Sequence, residues 1–188
     1  MLIAPLPLEV EPDLSLLPSW RREQALRFRH RQGQLECAVS YLLLCKALHD
    51  EYGIDCQPTF SYGEHGKPML VEHPDIHFNL SHCREAVACA VSHSPVGIDV
   101  ERVGRDNDSL TRHVMCDGEI RLIEQAEDST VEFTRLWTMK EALVKLLGTG
   151  ITDELKQLLH SDSARDIIFT THTDANGRYV CTIAETSI

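Results

Sequence analysis

Apolar and polar positions along this chain follow two periods, and the switches between them mark out helices and strands. In residues 34–52, Leu35, Ala38, Val39, Leu42, Leu43 and Leu48 recur at helical spacing and Gly53 follows, which predicts a long helix with a glycine stop. Residues 134–147 are rich in Leu, Met, Ala, Glu and Lys and end at Gly148-Thr149-Gly150, which predicts a second one. Between and after them the period shortens to two. Residues 59–62, 77–81 and 96–101 read as strands, and the continuous apolar run at 86–92 reads as a fully buried strand. Residues 166–171 and 178–184 predict a hairpin around Asp174-Ala175-Asn176-Gly177. Gly63-Glu64-His65-Gly66-Lys67-Pro68 is a turn, residues 1–18 a Pro-rich extended strand or arm, residues 109–125 helical with few end signals, and residues 154–159 a turn of helix. Each half of the chain therefore supplies a long helix followed by short antiparallel strands. This order predicts an α+β fold of two similar halves, residues 1–94 and 95–188, paired as a pseudo-dimer with the site between them.

Composition narrows the function classes. The 188 residues suffice for one ordinary domain or two small fused halves, and a 43% hydrophobic content is adequate for a core. A formal net charge of −11 opposes general nucleic-acid binding. The basic stretch at residues 20–30 stands against that balance, and taken alone it suits a solvated helix face. Seven widely spaced cysteines without a C-x-x-C form neither a disulfide framework nor a zinc site, so reduced thiols and a cytoplasmic location are expected. Cys89 and Cys181 sit in apolar runs and are expected in the core. The N-terminal residues are a poor secretory signal, and no apolar run reaches membrane-spanning length.

The candidate chemistry is acidic. On a strand at 96–101, Asp99 and Glu101 share one face while Ile98 and Val100 share the other. On the helix at 134–147, Trp137, Glu141 and Lys145 lie four apart along one stripe. Packing helix on strand brings three carboxylates together beside one ammonium. Hard oxygen ligands of that kind suit Mg²⁺ bound together with substrate phosphate oxygens. Each piece has a plainer reading: Asp-x-Glu as a solvated strand end, Glu141 and Lys145 as a surface pair contributing about 0.2–0.5 kcal/mol, Trp137 as core.

Four ordered motifs combine with this constellation. They are Gly66-Lys67-Pro68, Phe78-Asn79-Leu80-Ser81-His82, Gly97-Ile98-Asp99-Val100-Glu101, and Trp137-Thr138-Met139-Lys140-Glu141-Ala142 with Lys145 and Gly148-Thr149-Gly150. From about residue 20 to the end, the chain resembles the 4′-phosphopantetheinyl transferases of the larger, Sfp-like type. The resemblance implies transfer of the phosphopantetheine arm of coenzyme A to a serine of an acyl or peptidyl carrier protein, releasing adenosine 3′,5′-bisphosphate. It implies that Asp99, Glu101 and Glu141 surround Mg²⁺, or Mn²⁺, on the pyrophosphate. It implies that Lys145 sits by the transferred phosphate and that Glu141, or a water beside it, is the base. Lys67-Pro68, Ser81 and His82 would hold coenzyme A, and Arg21 and Arg27 would reach its 3′-phosphate. Glu119 matches a further acidic position. The chain departs from the family at Glu36-Cys37, where relatives often carry an Arg followed by Ser or Thr. Glu36 is therefore expected to point away from the pocket or to be neutralised by Arg29 or Arg31. A monomer is expected. The competing classes are a Mg²⁺-dependent phosphohydrolase and a non-catalytic carrier-binding module.

Overall fold

The computed structural model describes residues 1–6, 13–55, 57–63, 66–104, 108–150 and 155–187. Along them run β1 (Leu2–Pro5), α1 (Ser19–Leu26), α2 (Arg31–Tyr52), β2 (Phe60–Tyr62), β3 (Pro68–Leu70), β4 (His77–His82), β5 (Ala86–Ser92) and β6 (Val96–Arg102). Then follow α3 (Asp108–Val114), α4 (Asp117–Gln125), α5 (Ser129–Leu147), β7 (Ile167–Thr173) and β8 (Tyr179–Thr186), with 3-10 turns at Leu14–Leu16, Leu155–His160 and Asp162–Ala164. The fold is α+β. Two antiparallel three-stranded sheets, ordered β1-β5-β4 and β6-β8-β7, carry it, and β2 and β3 form a separate ribbon. Among the described residues no helix is long and apolar enough to cross a membrane.

The apolar run of β5 is continuous because both of its faces are covered. Val87 and Cys89 pack with Leu44 and Leu48 of α2. The opposite face presents Ala86, Ala88 and Ala90 to Val96, Ile98 and Val100 of β6 and to Cys181 and Ile183 of β8. The row of alanines lets the two sheets approach each other. Asn79 and Ser81 of β4 complete the junction: Asn79 Oδ1 accepts from the Ile98 amide at 3.0 Å, and Ser81 Oγ accepts from the Val100 amide at 3.2 Å. These side chains satisfy β6 amides that would otherwise be buried donors without acceptors. Burial also pushes the Cys89 and Cys181 thiols up to about 12 and Cys83 up to about 11, which suits inert packing.

The elements depart from the expected ones where a cap or a distant partner decides. Helix α5 starts at Ser129, five residues before the periodic stretch, because Asp128 Oδ1 accepts from the Thr130 and Val131 amides, both at 3.0 Å. Residues 109–125 form two helices, and Cys116 is the N-cap of the second. In the extended segment at 1–18 the strand is β1, and its unforeseen partner is β5, in the register Leu2↔Cys89 to Pro5↔Ala86. Strand β3 follows the turn at 63–68 and pairs with β2. The hairpin turn is as expected, with Gly177 at φ +65° and Asp174 Oδ2 accepting from Arg178 Nε at 2.8 Å, which holds the Asp174 carboxyl down to about 2. Pro7 of the arm, Glu64 and His65 of the turn, Glu154 and Cys56 lie outside the described residues.

Candidate active site

Gly97, Asp99 and Glu101 lie on one face of β6 by strand parity. Gly97 leaves room for a helix on that face. A Cβ there would collide with the Ala142 carbonyl oxygen and come within 2.5 Å of the Leu146 amide nitrogen, so the backbone of α5 rests on the strand itself. This close approach brings Glu141 and Lys145 beside Asp99 and Glu101. Ser81, His82, Asp99, Glu101, Glu141 and Lys145 all line one cavity of about 440 Å³. Trp137 and Phe133 line it too, and both also pack in or against the hydrophobic core that holds Leu136.

At the cavity floor three groups are locked together. Lys145 Nζ donates to Asp99 Oδ1 at 2.6 Å and to Ser81 Oγ at 2.9 Å, and Ser81 Oγ donates to Asp99 Oδ1 at 2.9 Å. Asp99 is 3% exposed, yet its Oδ2 has no hydrogen-bond partner. A buried carboxylate oxygen without a donor is costly unless something cationic completes it. The donor set, three carboxylates in one cavity with one oxygen unsatisfied, fits a hard divalent cation.

The remaining expected site residues are distributed differently. His82 lines the cavity, and its Nδ1 lies 3.3 Å from Glu36 Oε2; Gln32 Nε2 donates to Glu36 Oε1 at 2.9 Å. Glu36 thus points toward the site and meets His82, contrary to the expectation that it turns away or pairs with Arg29 or Arg31. The cause is geometric: Glu36 on α2 and His82 at the end of β4 meet where that helix crosses its sheet. Lys67 does not line this cavity. Its Nζ donates to the Lys145 carbonyl at 2.8 Å, at the C-terminal end of α5, where exposed carbonyls and the helix dipole attract a cation. Burial pushes the Lys67 ammonium down from its ordinary range. Lys67 and Pro68 line an adjoining cavity of about 220 Å³ that shares Leu80 and Lys145 with the acidic one.

Arg21 also lies elsewhere. It donates to Gln24 Oε1 at 2.8 Å and to the Cys37 carbonyl at 3.1 Å, and its guanidinium stands over the Tyr41 ring, so it braces α1 on α2. Arg27 lines a separate cavity with Trp20, Phe60 and Tyr62. Glu119 is 2% exposed and paired with the fully buried Lys140 at 2.9 Å, away from the acidic cavity. Sequence reasoning passed over Arg102, Leu110 and Thr134 of the cavity wall and the bracing role of Asn79. The signal for Asn79 was present: it and Ser81 are polar residues two apart, on one face of the strand whose other face carries Phe78 and Leu80.

Comparison with known proteins identifies the family. Residues 95–184 match the profile of the 4′-phosphopantetheinyl transferase superfamily. The chain is 30% identical over 160 residues to the 4′-phosphopantetheinyl transferase Sfp of Bacillus subtilis (strain 168), covering 82% of this chain and 71% of that protein. It is 34% identical over 159 residues to the 4′-phosphopantetheinyl transferase gsp of Aneurinibacillus migulanus, covering 80% of this chain and 66% of that protein. It is also 40% identical over 96 residues to AcpT of Salmonella typhimurium, another 4′-phosphopantetheinyl transferase, covering 48% of this chain and 50% of that protein. The chain belongs to the 4′-phosphopantetheinyl transferase superfamily, among its Sfp-like members, and transfers the phosphopantetheine arm of coenzyme A to a carrier protein.

Proposed function

We propose that the acidic cavity carries out this transfer with a divalent cation, Mg²⁺ or Mn²⁺, held by Asp99, Glu101 and Glu141, and that a serine hydroxyl of an acyl or peptidyl carrier protein is the acceptor. The observation that carries the reading is the orphan Asp99 Oδ2, buried beside two further carboxylates. A cation bound there neutralises charge on the coenzyme A pyrophosphate, which phosphoryl-type transfer needs more than covalent help. The protein's own groups do the rest. Lys145 holds Asp99 through Oδ1 and leaves Oδ2 for the cation, and its ammonium stands ready beside the phosphate being transferred. Ser81 ties that pair to the β6 backbone, so the floor is rigid before substrate arrives. Glu141, directly or through one water, removes the proton of the carrier serine as its oxygen attacks phosphorus. Adenosine 3′,5′-bisphosphate departs. An apo-carrier incubated with the enzyme and coenzyme A is expected to gain the mass of one phosphopantetheine arm when Mg²⁺ or Mn²⁺ is present, and none when a chelator is. Unchanged mass across acyl and peptidyl apo-carriers would overturn the reading. Release of adenosine 3′,5′-bisphosphate without any carrier would favour a phosphohydrolase.

His82, with Lys67-Pro68 in the adjoining cavity, is proposed to contact coenzyme A phosphates, with Glu36 setting how strongly. Glu36 brings a negative charge to the same place. Two unit charges about 4 Å apart interact by about 1 kcal/mol in a water-like medium, and His82 is half exposed. Glu36→Gln is therefore expected to tighten coenzyme A binding about fivefold. Calorimetric titration checks this, and unchanged or weaker binding would show that Glu36 does not oppose the phosphate.

Residues 1–94 and 95–188 are further proposed to act as two halves of a pseudo-dimer within a monomer. Support comes from the cavity wall, where Ser81 and His82 belong to the first half and the carboxylates to the second. It comes also from the amides of β6, which are bonded by β4 side chains. A single sedimenting species of one chain, with turnover per molecule constant on dilution, is the expected result. Activity lost as an oligomer dissociates would sink it.

A further inference from the structure

We propose that Cys116, Glu119 and His160 form a second metal site, distinct from the acidic cavity, that takes zinc or a similar borderline divalent ion. One ligand atom from each of the three lies within 4.8 Å of the others. The second observation is the state of Glu119. This carboxylate is 2% exposed, and its Oε2 is fully used, accepting from the Cys116 amide at 2.8 Å and facing Lys140 Nζ at 2.9 Å. Its Oε1 is buried without a hydrogen-bond partner, and His160 Nε2 stands 3.8 Å from it. Lys140 serves Oε2 alone, so the orphan Oε1, within 4.8 Å of a thiol and an imidazole, is left to a further partner that those two side chains can share.

The geometry is one small closure from completion. Zinc bond lengths put ligand atoms about 3.5 Å apart in a tetrahedral site. The Glu119 to His160 separation of 3.8 Å already meets that. Cys116 heads α4, and the His160 ring is 57% exposed at the end of the 3-10 turn Leu155–His160, so both can close the rest. The scaffold is fixed around them: the fully buried Lys140 ammonium donates to the Leu155 carbonyl at 2.6 Å and so holds that turn beside Glu119. Mixed sulfur, nitrogen and oxygen donors favour zinc over Mg²⁺, and a water fills the fourth position. On binding, a metal–sulfur bond forms and the Cys116 thiol proton passes to solvent. Lys140 precedes Glu141 on α5, so the filled site buttresses the helix from behind the acidic cavity.

Cobalt(II) is a suitable probe, because a thiolate on it gives a charge-transfer absorbance that oxygen ligands do not. The full chain, stripped by chelator and kept in excess Mg²⁺, is titrated with Co²⁺. One equivalent is expected to bind with that absorbance, to be displaced by Zn²⁺, and to bind equally to Asp99→Asn. Cys116→Ser is expected to abolish the absorbance. His160→Ala changes an exposed side chain, so the fold is spared, and is expected to weaken Co²⁺ by at least about a hundredfold, as loss of a direct ligand should exceed the loss of an outer partner. Absence of the absorbance, its survival in Cys116→Ser, or unchanged affinity in His160→Ala would each overturn the proposal. None of these readouts depends on carrier modification.

Discussion

Asp99→Asn is expected to lower carrier modification by about three orders of magnitude or more while leaving the protein folded. The substitution keeps the volume of a side chain that is 3% exposed. The amide oxygen can still accept from Lys145 and Ser81, which now hold Oδ1 at 2.6 and 2.9 Å. What disappears is the negative charge next to the orphan Oδ2. Losing one preorganised charge contact to a transferring phosphoryl group costs about 10²–10⁵ in rate, depending on the site, and a thousandfold loss corresponds to about 4 kcal/mol of barrier. Asp99→Ala should abolish turnover equally and also destabilise, by about 1.5–3 kcal/mol, because a charged hydrogen bond to Lys145 is broken in a largely buried place. The comparison to make is the rate of carrier mass gain under single-turnover conditions, with thermal unfolding alongside. Near wild-type turnover in a folded Asp99→Asn protein would end the three-carboxylate account. Recovery at raised Mn²⁺ would instead assign Asp99 to cation affinity alone.

The grouping of charged residues in this cavity was legible because short-range rules governed it. Parity along 96–101 put Asp99 with Glu101, helical spacing put Glu141 with Lys145, and both relations survive in the cavity wall. Glycine stops were equally local: Gly53 and Gly148 end α2 and α5 in the left-handed conformation, at φ +66° and +69°. What the sequence did not disclose depends on elements that meet only in three dimensions. Lys67 reads as a turn lysine, and nothing local shows that the C-terminal carbonyls of α5 stand beside it. Arg21 reads as a free cation until α2 offers the Cys37 carbonyl and the Tyr41 ring. Glu36 reads as an intruder in a phosphate pocket, and His82 on another element turns out to face it. The pairing of β1 with β5 and the break between α3 and α4 belong to the same class, because neither is marked by period or composition. In this chain the grouping of the three acids was written locally, and the surroundings of the cations were not.

Gly97→Ala should be the most damaging of the glycine-to-alanine changes in this chain. The new Cβ would meet backbone, the Ala142 carbonyl oxygen and the Leu146 amide nitrogen at 2.5 Å, and backbone inside a helix cannot rotate away as a side chain does. Helix α5 must lift from β6, or β6 must bend away from β8, to which it is paired from Val96↔Glu185 to Arg102↔Tyr179. Overpacking typically costs about 1–3 kcal/mol when side chains can adjust. With backbone on the other side, at least about 3 kcal/mol is expected, a large share of a typical stability of about 5–15 kcal/mol. For a chain of this size that corresponds to a fall of about 6–12 °C in Tm. Function should suffer beyond the lost stability, because lifting α5 carries Lys145 and Glu141 away from Asp99 and opens the 2.6 Å ion pair. Gly118→Ala is the internal control. A Cβ there meets nothing nearer than the Cys116 sulfur at 3.7 Å, and the residue lies inside α4, so the change should be neutral or stabilise by up to about 1 kcal/mol. Equal Tm values for the two variants would show that α5 does not need the bare strand at Gly97. A Gly97→Ala protein that still modifies its carrier at full rate at low temperature would show that the pairing of Lys145 with Asp99 tolerates a displaced helix.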